Sequence, residues 1–156
     1  MWSLLRPDSI AVLKDEKCRR SLGRYFDVFQ ERKYANFKVA RSLPADFSRD
    51  DPTDKLWRLH EELTKEFYEF RRGLDSGEAG GLEAPPKSYL DLKVEIAKRI
   101  LEDCRFCVRR CGANRRAGER GFCGCGADAA VSTSFEHLGE EPELVPSGTI
   151  FTCGCS

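Results

Sequence analysis

Five cysteines crowd into twenty-two residues, and that spacing constrains this chain more than any other feature. The run Cys104-x2-Cys107-x3-Cys111-x11-Cys123-x-Cys125 lies in CRFCVRRCGANRRAGERGFCGCG. Cysteines set this closely among charged residues, rather than in apolar strands, suit a tetrahedral sulfur site. Cys104 and Cys107 have the spacing of a tight turn that offers two thiolates to one ion, and Gly112 after Cys111 permits a sharp reversal. The x11 excursion, with Gly118 and Gly121, returns Cys123 to the same place. The expected ligand set is Cys104, Cys107, Cys111 and Cys123, with Cys125 as an alternative fourth ligand because one intervening residue lets either turn inward. Zinc and an iron–sulfur cluster both accept such a set, so the metal stays open between them.

Charge is distributed unevenly around this run. The chain as a whole balances 26 Lys and Arg against 26 Asp and Glu, which gives no global case for a nucleic-acid or membrane partner. Between Cys104 and Cys125, however, Arg105, Arg109, Arg110, Arg115, Arg116 and Arg120 face the single acid Glu119. These arginines can offset thiolate charge, form a solvated basic loop, or meet an anionic substrate or acidic partner. Nucleic acid is the less favoured partner: Phe106 and Phe122 are the loop's only stacking aromatics, and the rest of the chain is net acidic. No apolar run reaches the roughly 20 residues that span a bilayer. The N-terminus MWSLLRPDSIAVLKDEK lacks the apolar centre and cleavage site of a signal peptide. The expectation is a cytoplasmic, reducing setting, where clustered cysteines act as ligands rather than disulfides.

Ahead of the cysteines the periodicity is helical. Leu22, Tyr25, Phe26 and Phe29 predict a helix over about 15–33. Leu56, Leu59, Leu63, Phe67 and Phe70 predict a second over about 53–72, with Trp57 beside the stripe. Residues 73–87 read as an exposed linker from their Gly, Ser and Pro content. Ser88, with Asp91 three positions on, opens a third helix as a variant capping box. Leu90, Val94, Ala97 and Leu101 form its main stripe, widened by Tyr89, Leu92, Ile96 and Ile100. Beyond the cysteines, 129–135 and 148–152 read as short strands. The fold class expected is mainly α in the N-terminal part, with a cysteine-rich knuckle and short β-strands. Its segments are a helical extension and linker (1–87), a helix plus knuckle (88–126), and the strands (127–156).

Three motifs occur in order: the cysteine run, HLGEEP (138 being its Leu), and SGTIFTCGC. In that order they resemble the radical S-adenosylmethionine proteins related to pyruvate formate-lyase-activating enzyme, and the likeness covers about 91–156. The resemblance implies that 148–151 are the first strand of a (β/α) barrel and that Cys155 is the first ligand of a C-x3-C-x2-C motif. That motif binds a four-iron, four-sulfur cluster, which cleaves S-adenosylmethionine to a 5′-deoxyadenosyl radical. Cys153 falls at a position that is not a ligand in the family. The sequence stops at Ser156, so the expectation is the start of an incomplete barrel with no complete catalytic set, inactive alone: a truncated or split gene product, or a fragment completed by a second polypeptide. The alternative is a stand-alone zinc-binding structural or interaction module.

Overall fold

A computed structural model describes residues 2–154. Over these residues the elements run α1 (Trp2–Leu5), α2 (Pro7–Val12), α3 (Glu16–Phe29), α4 (Asn36–Ser42), α5 (Thr53–Ser76), α6 (Tyr89–Ile100), β1 (Val131–His137) and β2 (Ser147–Thr152). Single 3-10 turns lie at Arg115–Ala117 and Pro142–Leu144. The chain divides into two units: the described parts of Met1–Arg32 and Asp128–Ser156 form one, and Lys33–Ala127 the other. The linker expected over 73–87 therefore falls inside a unit.

In the Lys33–Ala127 unit, α6 is set by a full capping box. Ser88 Oγ accepts the Asp91 N–H at 3.3 Å, and Asp91 Oδ2 accepts the Ser88 N–H at 2.9 Å. Two of the helix's orphan donors are thereby satisfied, and Lys98 and Arg99 complement the dipole in its last turn. Tyr89, Leu92 and Ile96 are buried, whereas Val94 is 47% exposed. The most buried face is thus the expected widening; of the 90/94/97/101 stripe, Leu90 packs against the same core while Val94 turns outward. These residues pack with Leu56, Leu63 and Phe67 of α5 and with Val39 and Ala40 of α4 in one apolar cluster that also includes Leu43, Ala45 and Phe47. Short backbone ties close it: Tyr89 N–H donates to Leu43 C=O at 2.8 Å, and Ala45 N–H to Lys87 C=O at 3.1 Å. Helix α5 continues past the expected Arg72 to Ser76 and stops at Gly77, whose φ of 79° is the left-handed cap glycine tolerates.

In the other unit, α3 starts on Asp15, whose side chain accepts the Cys18 N–H at 2.8 Å. It ends at Phe29, four residues short of the expected Lys33. Helices α1, α2 and α4 were not legible as helices, being too short to show a stripe; Pro7 at the start of α2 supplies a preset φ. β1 and β2 pair antiparallel, with Phe135 opposite Thr149 and His137 opposite Ser147. Phe135 and Phe151 stack at 5.9 Å between ring centroids. Arg6 ties α2 to the hairpin connection by donating to the carbonyls of Leu138 and of Glu140, the latter at 3.1 Å. No helix among the described residues is long and apolar enough to cross a membrane.

Candidate metal centre

Helix α6 delivers the chain into the cysteine run through Leu101, whose carbonyl accepts the Arg115 N–H at 2.8 Å. The first loop closes on itself: Cys104 N–H donates to Ala113 C=O and Gly112 N–H to Cys104 C=O, each at 3.2 Å. Gly112 takes φ 70°, as the reversal after Cys111 requires. Asn114 then caps the 3-10 turn, its Oδ1 accepting the Ala117 N–H at 3.0 Å. A second tight turn follows, with Gly121 N–H on Cys125 C=O at 3.2 Å and Gly124 N–H on Gly121 C=O at 2.9 Å.

These two loops bring Cys123 onto the Arg115 guanidinium and bury Cys104. Cys104 is buried, at 2% exposure. Cys123 Sγ accepts from Arg115 Nη2 at 3.3 Å, while Cys111 is exposed and its Sγ, like Arg115 Nη2, lies close to Gly121. Backbone N–H groups of Ala113 and Phe122 hold the Cys111 thiol below its ordinary value. The Arg115 guanidinium, followed by the Cys125 backbone N–H, brings Cys123 down to about 7. Both effects favour the thiolate, the form that ligates metals. The sulfurs in turn raise the Arg115 guanidinium.

The remaining expected ligands lie elsewhere in the loop. Cys107 is exposed at the turn where Arg110 N–H meets Cys107 C=O at 3.1 Å, and Cys125 Sγ lies 3.8 Å from Cys123 C=O. Among the described residues no group of three or more His, Cys, Asp or Glu side chains is assembled to hold an ion. The seven described cysteines are in no disulfide. The residue types, closely spaced cysteines on two tight loops, are those a thiophilic ion takes as ligands, but in this arrangement only the Cys123 thiol, among the described cysteines, is hydrogen-bonded to Arg115. For the C-x3-C-x2-C motif the resemblance names one residue of this sequence as a ligand. That residue, Cys155, lies outside the described residues, and Cys153 is exposed, its N–H on Ala130 C=O at 2.7 Å.

The arginines are not one basic surface. Arg105 pairs with Asp103, Arg116 with Glu102 at 2.9 Å, and Arg120 donates to Gly124 C=O at 2.8 Å. Arg109 lies over the Phe122 ring at 4.2 Å. Arg115, at 8% exposure, is part of the interior. Sequence reasoning missed this role, because nothing in the sequence separates Arg115 from its neighbour Arg116. It also passed over Cys18, whose Sγ donates to Glu143 Oε1 at 3.6 Å beside a cleft of about 450 Å³. Asp15 first, then burial, pushes the Cys18 thiol up to about 11. His137 closes β1, with Nδ1 3.0 Å from Glu140 Oε1.

Fold and site together define a helical unit ending in a thiol-rich double loop, joined in sequence to a two-stranded hairpin. The chain is 41% identical over 135 residues to the uncharacterized protein MJ0674 of Methanocaldococcus jannaschii, a match covering 86% of this chain. The chain spans 38% of that relative's length. No family model and no solved structure matches it.

Proposed function

We propose that this chain is the N-terminal part of a radical S-adenosylmethionine enzyme of the activating-enzyme-related kind, and that its own contribution is a thiolate metal centre. Cys104, Cys111 and Cys123 hold the ion, and Cys107 or Cys125 completes the set. The observation that carries the centre is that two closed loops place Cys123 Sγ on Arg115 Nη2 at 3.3 Å, with Cys111 Sγ and that guanidinium both close to Gly121 and Cys104 buried in the first loop. The ordered motifs of the sequence support the radical-enzyme reading, as does a relative of which the matched region is 38%, leaving length for a barrel. The bound ion supplies a cross-link between the two loops. Gly112 and Gly124 make the reversals, the backbone N–H groups orient sulfur, and β2 stands as the first barrel strand. In this reading the catalytic four-iron, four-sulfur cluster and S-adenosylmethionine belong to the completed enzyme, in a reducing cytoplasm, with the remaining barrel continuous with this chain or on a second polypeptide.

The test is anaerobic. The chain is produced together with whatever continues its reading frame or lies in the adjacent gene, reconstituted with iron and sulfide, and supplied with dithionite and S-adenosylmethionine. Release of 5′-deoxyadenosine, lost in Cys155→Ser, is expected. No C-x3-C-x2-C register in either place, or no release, removes the catalytic reading.

A second reading, a zinc-binding interaction module, is favoured by one observation: Phe106, Val108 and Phe122 are exposed, at 56%, 95% and 71%, beside Arg109. Stoichiometric zinc with no iron after reconstitution would favour it for the loops.

A further inference from the structure

Helix α6 has a second, charged face beside its apolar one. Asp91, Val94, Glu95 and Lys98 stand at i, i+3, i+4 and i+7, and with Phe47, Arg49 and Lys87 they line a cleft of about 280 Å³. The walls are tied across it. Lys87 Nζ donates to Phe47 C=O at 2.6 Å, Ala45 N–H to Lys87 C=O at 3.1 Å, and Arg99 Nη2 to Arg49 C=O. The cleft is therefore preformed inside the Lys33–Ala127 unit, and none of its lining comes from the cysteine run. Its charges are unequally committed. Asp91 Oδ2 accepts from the Ser88 N–H and hydroxyl, and Lys87 is held by the Phe47 carbonyl. Glu95 is only 7% exposed, yet Oε1 alone has a partner, Arg99 Nε at 3.1 Å. Among the described residues Oε2 takes no hydrogen bond or ion pair, and neither do the Arg49 guanidinium and the Lys98 ammonium. A carboxylate this deep is rarely left half-satisfied.

We propose that this cleft binds a small zwitterion, a free α-amino acid with a short apolar side chain. Its ammonium donates to Glu95 Oε2, its carboxylate meets Arg49 and Lys98, and its side chain lies along Pro86 and Val94, which supply apolar lining. One uncommitted acceptor and two uncommitted cations in one cleft select a ligand that carries both signs. A simple anion such as phosphate would use the two cations but set its charge against Glu95, and a simple amine would leave both cations without a partner. The size agrees, since small-molecule pockets begin near ~300 Å³ and a larger ligand would not be enclosed. No bond is made or broken in the step, and the inference does not depend on the metal centre.

The experiment titrates the isotope-labelled full chain with L-alanine, L-valine, L-leucine and L-methionine and follows its backbone amide resonances. Saturable shifts confined to the segments around Arg49 and along Lys87 to Lys98 are expected with at least one of them. The matching amine without a carboxylate and the matching acid without an ammonium should each bind at least ~10-fold more weakly. Inorganic phosphate is the further probe, and it should not saturate these shifts. Absence of saturable shifts with all four amino acids overturns the proposal. Phosphate or the ammonium-free acid binding as tightly as the amino acid overturns it too, and makes the cleft an anion site. Glu95→Gln should weaken binding at least ~10-fold, because a buried charge loses its counterpart. Lys98→Met, which leaves the Glu95–Arg99 pair in place, should weaken it by a smaller ~2–5-fold, as for a partly exposed pair. Helical circular dichroism shows whether each variant is folded. If Glu95→Gln loses its helical signal, Lys98→Met and Arg49→Met decide the matter, and wild-type affinity in both overturns the assignment to this cleft.

Discussion

Replacing Leu92 with alanine tests which face of α6 carries the fold. Leu92 is 0% exposed and belongs to the cluster that joins α4, α5 and α6. The substitution removes three carbons; at ~0.8 kcal/mol per buried methylene, the transfer part is ~2.4 kcal/mol. A partly relaxed cavity between three helices adds to this, so the loss should be about 3 kcal/mol. In units of this size each kcal/mol moves Tm by ~4–8 °C, which gives a fall of roughly 12–24 °C. Val94→Ala is the control, on the same helix but 47% exposed; it should cost less than about 0.5 kcal/mol. Thermal and urea unfolding followed at 222 nm report the helices directly. Equal losses for the two variants, or a larger loss for Val94→Ala, would refute the assignment of the buried face and with it the packing that leads into Cys104.

Three further outcomes follow from the same geometry. Ser88→Ala should lose about 1 kcal/mol by breaking the capping box. Hydrogen bonds from Ser88 hold the Asp91 carboxyl below its usual range, so the stabilisation is present above the ordinary carboxylate value and lost as pH falls through the folded one; wild-type urea midpoints below pH 4 should show this. His60 is lowered by burial and then by Lys93, whose Nζ lies 3.0 Å from Nε2. Its contribution is therefore complete above the ordinary value of about 6.5 and lost as pH falls through the lowered one, a pH dependence that His60→Gln should abolish in urea unfolding. Cys18, with its thiol near 11 against an ordinary 9.0, should be alkylated at pH 9 about 50-fold more slowly than an unperturbed thiol, and Asp15→Asn should speed it.

The readable parts of this chain were those that local chemistry decides. Ser88 with Asp91 marks a helix start through its side chains, the start near Asp15 was close, and the long apolar repeat of α5 shows its period several times; the end of α5 at Gly77 fell within the stretch read as linker. The boundaries of α3 and α5 shifted by about four residues, because a stripe gives direction but not an end. The buried face of α6 was ambiguous because apolar residues cover most of that helix; only packing against α4 and α5 separates Leu92 from Val94. Of the candidate ligands, spacing placed Cys104, Cys107, Cys111 and Cys123 on the same two loops, but among the described residues their side chains are not assembled into one ligand group. Arg115 was invisible, since a buried arginine and an exposed one are the same letter until the loops close around them.

The central claim is that the loops of the cysteine run form a thiolate metal centre. Metal and sulfide analysis of the anaerobically purified chain tests it most directly. About one metal site per chain is predicted, lost in Cys104→Ser and in Cys123→Ser and retained in Cys18→Ser. A chain with its thiols reduced that carries no stoichiometric metal, or keeps its metal in both ligand variants, would contradict it.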